Sequence, residues 1–200
     1  MSRADRRRQT NAGKTSGAQA SSAKPLLVVL TAFLVVAIAV VAVLAVSSGS
    51  GGASSGSFTP NDEGLIQPGN QAPQAQAESV DGGQVSVPAD GPTLLVFFAT
   101  WCPHCNNEAP LISDLSKEYE NLNVVMAGID GEDNPEKVRE FVEEYDIEGE
   151  AFYEPSIGQT YNVSGYPTTY VIGESGEIVG ANTGETPENV LRDWVEQATS

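Results

Sequence analysis

The chain has 200 residues, 27 Asp and Glu against 10 Lys and Arg, a formal net charge of −17, two cysteines and one histidine. That length suffices for one modest folded core with accessory segments. An acid excess of this size argues against nucleic acid as a partner, and the cysteines and histidine fall short of the four ligands of a structural zinc site.

Charge is unevenly spread. Residues 1–24 hold six Lys and Arg against Asp5 alone, whereas residues 47–200 hold four against 26 Asp and Glu. A basic arm (1–25) thus precedes 21 residues, 26–46, interrupted by a single polar side chain, Thr31. At a 1.5 Å rise per residue this run spans roughly 30 Å, the thickness of a bilayer core. It exceeds the 7–15 residues of a signal-peptide core, although Ala45-Val46-Ser47 resembles a cleavage site. The expectation is an uncleaved signal anchor: a single-pass membrane protein with the Arg6-Arg7-Arg8 arm in the cytoplasm and the acidic part outside. Residues 47–77, rich in Ser, Gly, Pro and Gln, read as a flexible linker with a reach of roughly 30 Å.

A compact domain is predicted over 78–200. Residues 78–80 and 84–87 flank Asp81-Gly82-Gly83 and read as a β-hairpin. Residues 94–98 form a continuous apolar run, as in a strand covered on both faces. They lead directly into Trp101-Cys102-Pro103-His104-Cys105 and a helix that carries Leu111, Ile112, Leu115 and Tyr119 on one stripe, with Pro110 as a point of bending. A strand over 123–129 follows, then a helix capped by Asn134 and begun by Pro135. Strands at 168–172 and 177–180 join through Gly173-Glu174-Ser175-Gly176 as an antiparallel hairpin. A final helix from Thr186-Pro187 buries Val190, Leu191, Trp194 and Val195. The order specifies an α/β fold with a central mixed sheet and helices on both faces.

The cysteine pair carries the chemistry. Two intervening residues in a first helical turn bring two sulfurs within disulfide reach and leave the first exposed. Cys102 is then the attacking sulfur and Cys105 the buried resolving one. Free amide donors and the positive end of the helix favour a thiolate at Cys102. Pro103 suits the first turn, and His104 adds a pH-dependent positive charge beside the sulfur. A haem-attachment site would need His where Asn106 stands, and a structural disulfide would close too short a loop to stabilise much. Glu108, one turn beyond Cys105, has two readings: a proton acceptor for the resolving thiol, or a charge that complements the helix dipole. Copper delivery through the same thiolates is the alternative from another class. Ten Asp and Glu between 132 and 154 form either a solvated face or a docking surface for a basic partner.

Taken with Glu108, Pro110 and the later Gly165-Tyr166-Pro167-Thr168-Thr169, the motif resembles the thioredoxin superfamily, and more closely its TlpA-like, membrane-anchored, extracytoplasmic thiol-disulfide oxidoreductases. The resemblance implies a thioredoxin-like fold and a cis Tyr166–Pro167 bond opposite the cysteines, where the backbone of Tyr166 pairs with an extended substrate. It also implies exchange with exported protein thiols and disulfides, a membrane redox partner that resets the cysteines, and no metal or organic cofactor. Thioredoxin carries a buried Asp where this chain has Val96; the TlpA-like pattern carries Glu at the position of Glu108. Direction stays open: the family resemblance favours a reductant, such as one preparing apocytochrome c thiols, and the Pro-His spacer favours an oxidant.

Overall fold

A computed structural model describes residues 58–200. The predicted basic arm, the membrane-spanning run at 26–46 and the linker up to residue 57 lie outside the described residues. No helix among the described residues is long and apolar enough to cross a membrane.

Among the described residues, seven strands and four helices follow in the order β1 (Ala75–Glu78), β2 (Gln84–Val87), β3 (Thr93–Phe98), α1 (Pro103–Glu118), β4 (Asn123–Gly128), α2 (Pro135–Glu144), β5 (Glu150–Tyr153), α3 (Pro155–Thr160), β6 (Thr168–Ile172), β7 (Ile178–Thr183) and α4 (Glu188–Ala198). The main sheet has the order β5-β4-β3-β6-β7, with β4 parallel to β3 and β5, and β6 antiparallel to β3 and β7. This is the mixed sheet read from the sequence. β1 and β2 form the separate predicted hairpin, although its first strand is Ala75–Glu78 and not 78–80, because Ala75 to Ala77 pair with Val85 to Val87; its turn uses Gly82 and Gly83 at φ 91° and 95°, a region glycine enters without steric cost.

Every residue of β3 is buried, and its pleat sends alternate side chains to opposite faces. Leu94, Val96 and Phe98 join Ile112 and Leu115 of α1, Val138 and Phe141 of α2, and Leu191 and Val195 of α4. Leu95 and Phe97 pack with Val85 and Val87 of the hairpin, Ile157 of α3 and Tyr161. Helices therefore cover both faces, and the continuous apolar run of β3 has its physical reason. Asn134 caps α2 through its side chain, which accepts the Lys137 amide at 3.0 Å. α1 continues through Pro110 to Glu118.

Two expectations need correction. The predicted linker does not extend to residue 77: its described portion packs on the domain. Leu65 and Ala72 are buried in the core, and backbone hydrogen bonds tie this segment to the outer edge of β7, with the Gly69 amide donating to Ile178 O and the Ile178 amide to Asn70 O, each at 2.9 Å. An unpaired strand edge supplies the partners that a Gly/Pro/Gln-rich stretch lacks within itself. The second correction concerns residues 150–160, for which the periodicity predicts no element. β5 exists through its pairing with β4, and α3 begins at Pro155 behind Glu154, whose side chain accepts the Ser156 amide. Likewise β7 runs past Gly180 through Ala181 and Asn182, residues of low strand preference held by the β6 ladder, to Thr183.

Gly180 is needed for close approach. A Cβ there would lie 2.2 Å from Cδ2 of Trp194 on α4. Gly180→Ala is expected to cost about 1–3 kcal/mol by overpacking, read as a lower urea midpoint at unchanged slope; an unaltered midpoint would mean that α4 shifts freely.

Candidate active site

The first turn of α1 meets the Tyr166–Pro167 loop, and both cysteines lie at that junction. Cys102 is the N-cap residue: its φ of −77° and ψ of 118° are extended, and its sulfur accepts the Cys105 amide at 3.3 Å. Pro103 occupies the opening position of the helix, where no N–H is required. The two cysteines are free thiols. Cys102 was expected to be exposed, yet it is only 4% exposed. The backbone of Tyr166 stands over it, its carbonyl oxygen 3.7 Å from Cys102 Sγ. Tyr166–Pro167 is cis, as the resemblance implies.

Cys105 is buried to the same degree in the same core cluster, and burial pushes its thiol well above the ordinary range, helped by the hydrogen bond to Cys102. Glu108 is also buried, and burial raises its carboxyl from 4.5 to about 7 against the opposing hydrogen bond from the Thr186 amide. That amide donates to Glu108 Oε1 at 2.7 Å, while Oε2 and the hydroxyl of Thr169 are the buried side-chain oxygens without a partner among the described residues. Val96 packs in the same cluster as both cysteines and is apolar, so Glu108 is the carboxylate that faces this interior from α1.

Trp101 forms the rim. Its ring is 55% exposed, stands edge-on to Tyr166 at 6.3 Å and donates from Nε1 to Asp130 at 3.0 Å. Asp130 follows β4 and is held below the usual carboxylate range, chiefly by the Glu132 amide and then by Trp101. Burial and this neighbouring carboxylate push the Tyr166 phenol up to about 12. His104 engages the loop before α4: its Nδ1 lies 2.5 Å from Oε1 of Glu185. The imidazole expected to act beside Cys102 therefore has a carboxylate partner.

Several of these residues carry no sequence signal. Asp133 belongs to the acidic run, yet it is buried and accepts the Thr100 amide at 3.0 Å and the Thr100 hydroxyl at 2.5 Å, anchoring the turn before Trp101. Asp130, Thr186 and Glu185 reach the site from 29 to 81 residues away along the chain. Only the fold brings them there.

A dithiol at a helix mouth, beneath a backbone carbonyl and above a buried acid, can carry out thiol-disulfide exchange, and the comparisons agree. The sequence pattern of the AhpC/TSA family matches residues 68–181, more than half of the chain. Thioredoxin-like protein YneN of Bacillus subtilis is 37% identical over 124 residues, covering 60% of this chain and 73% of that protein. Thiol-disulfide oxidoreductase ResA of Bacillus cereus is 26% identical over 142 residues, covering 69% and 82%. Among solved structures, a thiol:disulfide interchange protein of the thioredoxin family from Chlorobium tepidum TLS superposes with a TM-score of 0.59 at 23% identity, over 68% of this chain and 99% of that one. Sequence and fold together make this chain a member of the AhpC/TSA family and, within the thioredoxin superfamily, a TlpA-like thiol-disulfide oxidoreductase.

Proposed function

We propose that this protein is anchored in the cell membrane by residues 26–46 and reduces disulfides of exported proteins outside the cell through Cys102 and Cys105. The carrying observation is the convergence of three buried groups: Cys102 lies beneath Tyr166 O, and Cys105 and Glu108 are buried with it along the first turns of α1.

In the first step the Cys102 thiolate attacks one sulfur of the substrate disulfide. A mixed disulfide forms and one substrate thiolate leaves. Cys105 then gives its proton to Glu108 and attacks Cys102 Sγ, which releases the second substrate thiolate and closes the Cys102–Cys105 bond. A carboxyl near 7 suits this transfer, because it holds or yields a proton at neutral pH. The backbone at Tyr166 offers an extended substrate segment a place to pair, and Trp101 flanks it. A membrane redox partner would return two electrons to the disulfide. Preparation of apocytochrome c thiols is one substrate class in keeping with the likeness to ResA-type proteins. The copper-delivery alternative gains nothing here, since among the described residues no three His, Cys, Asp or Glu side chains gather as a ligand set.

Two measurements test the reading. In whole cells, a membrane-impermeant maleimide should label Cys102 without lysis; labelling only after lysis would sink the outside location. Equilibration with glutathione should return a potential well below the roughly −120 mV of a DsbA-type oxidant. A value near that figure would reverse the direction to oxidation of exported thiols.

A further inference from the structure

The sequence assigns no part to Glu185, yet its side chain meets two residues of the active-site helix. Its Oε1 lies 2.5 Å from His104 Nδ1 and accepts from Asn107 Nδ2 at 3.1 Å. Both partners belong to the first turns of α1, so the carboxylate sits beside the helix N-terminus that also faces the Cys102 sulfur. It is not there by chance of a loose surface side chain. The loop that carries it is pinned from three directions: the Gly184 amide donates to Pro167 O at 2.7 Å, the Thr186 amide to Glu108 at 2.7 Å, and the buried Asn182 side chain donates to Gly184 O at 2.8 Å.

We infer that Glu185 sets the redox poise of the cysteine pair, as a fixed negative charge that makes the dithiol form less favourable than the Pro-His spacer alone would make it. The inference rests on the thiol-disulfide exchange proposed above. Its physical basis is a competition. Any thiolate that the reduced site forms at Cys102 is stabilised by the helix N-terminus, whereas the disulfide carries no charge. A carboxylate held at the same helix end claims part of that positive potential. It therefore acts against the reduced state alone. Its field reaches inward too, since Glu185 contributes to the upward push on Glu108. In this way the chain keeps the spacer of an oxidant and lowers its potential toward that of a reductant.

The test is the glutathione equilibrium of the full-length protein: dithiol plus glutathione disulfide gives protein disulfide plus two glutathione thiols, with two electrons and two protons passing between them. It is run at pH 8.5, above the range in which an imidazole ordinarily holds its proton. Glu185→Gln keeps an acceptor for Asn107 and removes only the charge. The pair is partly solvated, with side chains 67% and 42% exposed, so the expected change is modest. It should be about threefold toward the dithiol, or about 14 mV upward at 29.6 mV per tenfold. Glu196→Gln, an exposed change of equal charge on α4, should leave the equilibrium constant where it is. An unchanged constant for Glu185→Gln, or an equal change for Glu196→Gln, overturns the inference. If the wild-type protein itself does not equilibrate with glutathione, it is the exchange reading that fails.

Discussion

Cys105→Ser should convert the enzyme into a covalent trap. The first attack needs only Cys102, so a mixed disulfide still forms with any partner that reaches the site. The second attack is intramolecular in the wild type, because only two residues of a helix start separate the cysteines and the Cys105 amide already contacts Cys102 Sγ. Without that thiol, release waits for an external one. Turnover with a disulfide peptide should fall by more than about a hundredfold, since a positioned neighbour far outcompetes a millimolar reagent. Non-reducing electrophoresis of membranes from cells carrying the variant should reveal adducts that vanish on reduction and are absent from Cys102→Ser. Equal turnover in Cys105→Ser and wild type would remove the two-step mechanism.

Glu108→Gln should make the protein slower and more stable at once. Burial raises the carboxyl from 4.5 to about 7, so the folded state holds a proton that the unfolded chain has released. Such a group contributes its full stability below 4.5 and loses it as pH rises through 7. The wild-type unfolding free energy should therefore decline across that window by about 3 kcal/mol, at about 1.36 kcal/mol for each pH unit between the two values. Gln is neutral throughout and can still accept the Thr186 amide, so the variant should be flat over the same window and the more stable of the two at pH 8. Urea titrations at pH 4.5 and 8 check this. In kinetics, resolution of a preformed mixed disulfide should slow by about a hundredfold, the range of general acid–base assistance, and lose the inflection near 7. If the rate and its pH profile are unchanged while stability still rises, Glu108 serves the fold and not proton transfer. Wild-type stability that does not fall between pH 4.5 and 8 would contradict the buried neutral acid.

The same two residues mark how far the sequence could be read. Cys102-Pro103-His104-Cys105 announces a helix start and a dithiol because capping, proline placement and disulfide reach are properties of four consecutive residues. Glu108 followed from one helical turn. Its raised pKa did not, since that depends on a cover built by β6, the Thr186 loop and the rest of the core.

Local periodicity was equally legible in the hairpin, β3, β4, α2 and α4, whose patterns match their burial. It was silent where a neighbour decides the conformation. β5 needs β4, the end of β7 needs β6, residues 61–72 need the exposed edge of β7 and the turn before it, and residues 75–77 need β2; composition alone made that last stretch a tether. By itself, then, the chain determined its fold class, its dithiol chemistry and the identity of the buried acid, all encoded within a few residues of one another. Tertiary structure alone decided that Tyr166 covers Cys102, that Asp130 orients Trp101, that Asp133 is buried and that Glu185 meets His104. These pairings join residues far apart in the chain, and no local rule of propensity or spacing can encode a contact that exists only once the sheet has brought both ends together.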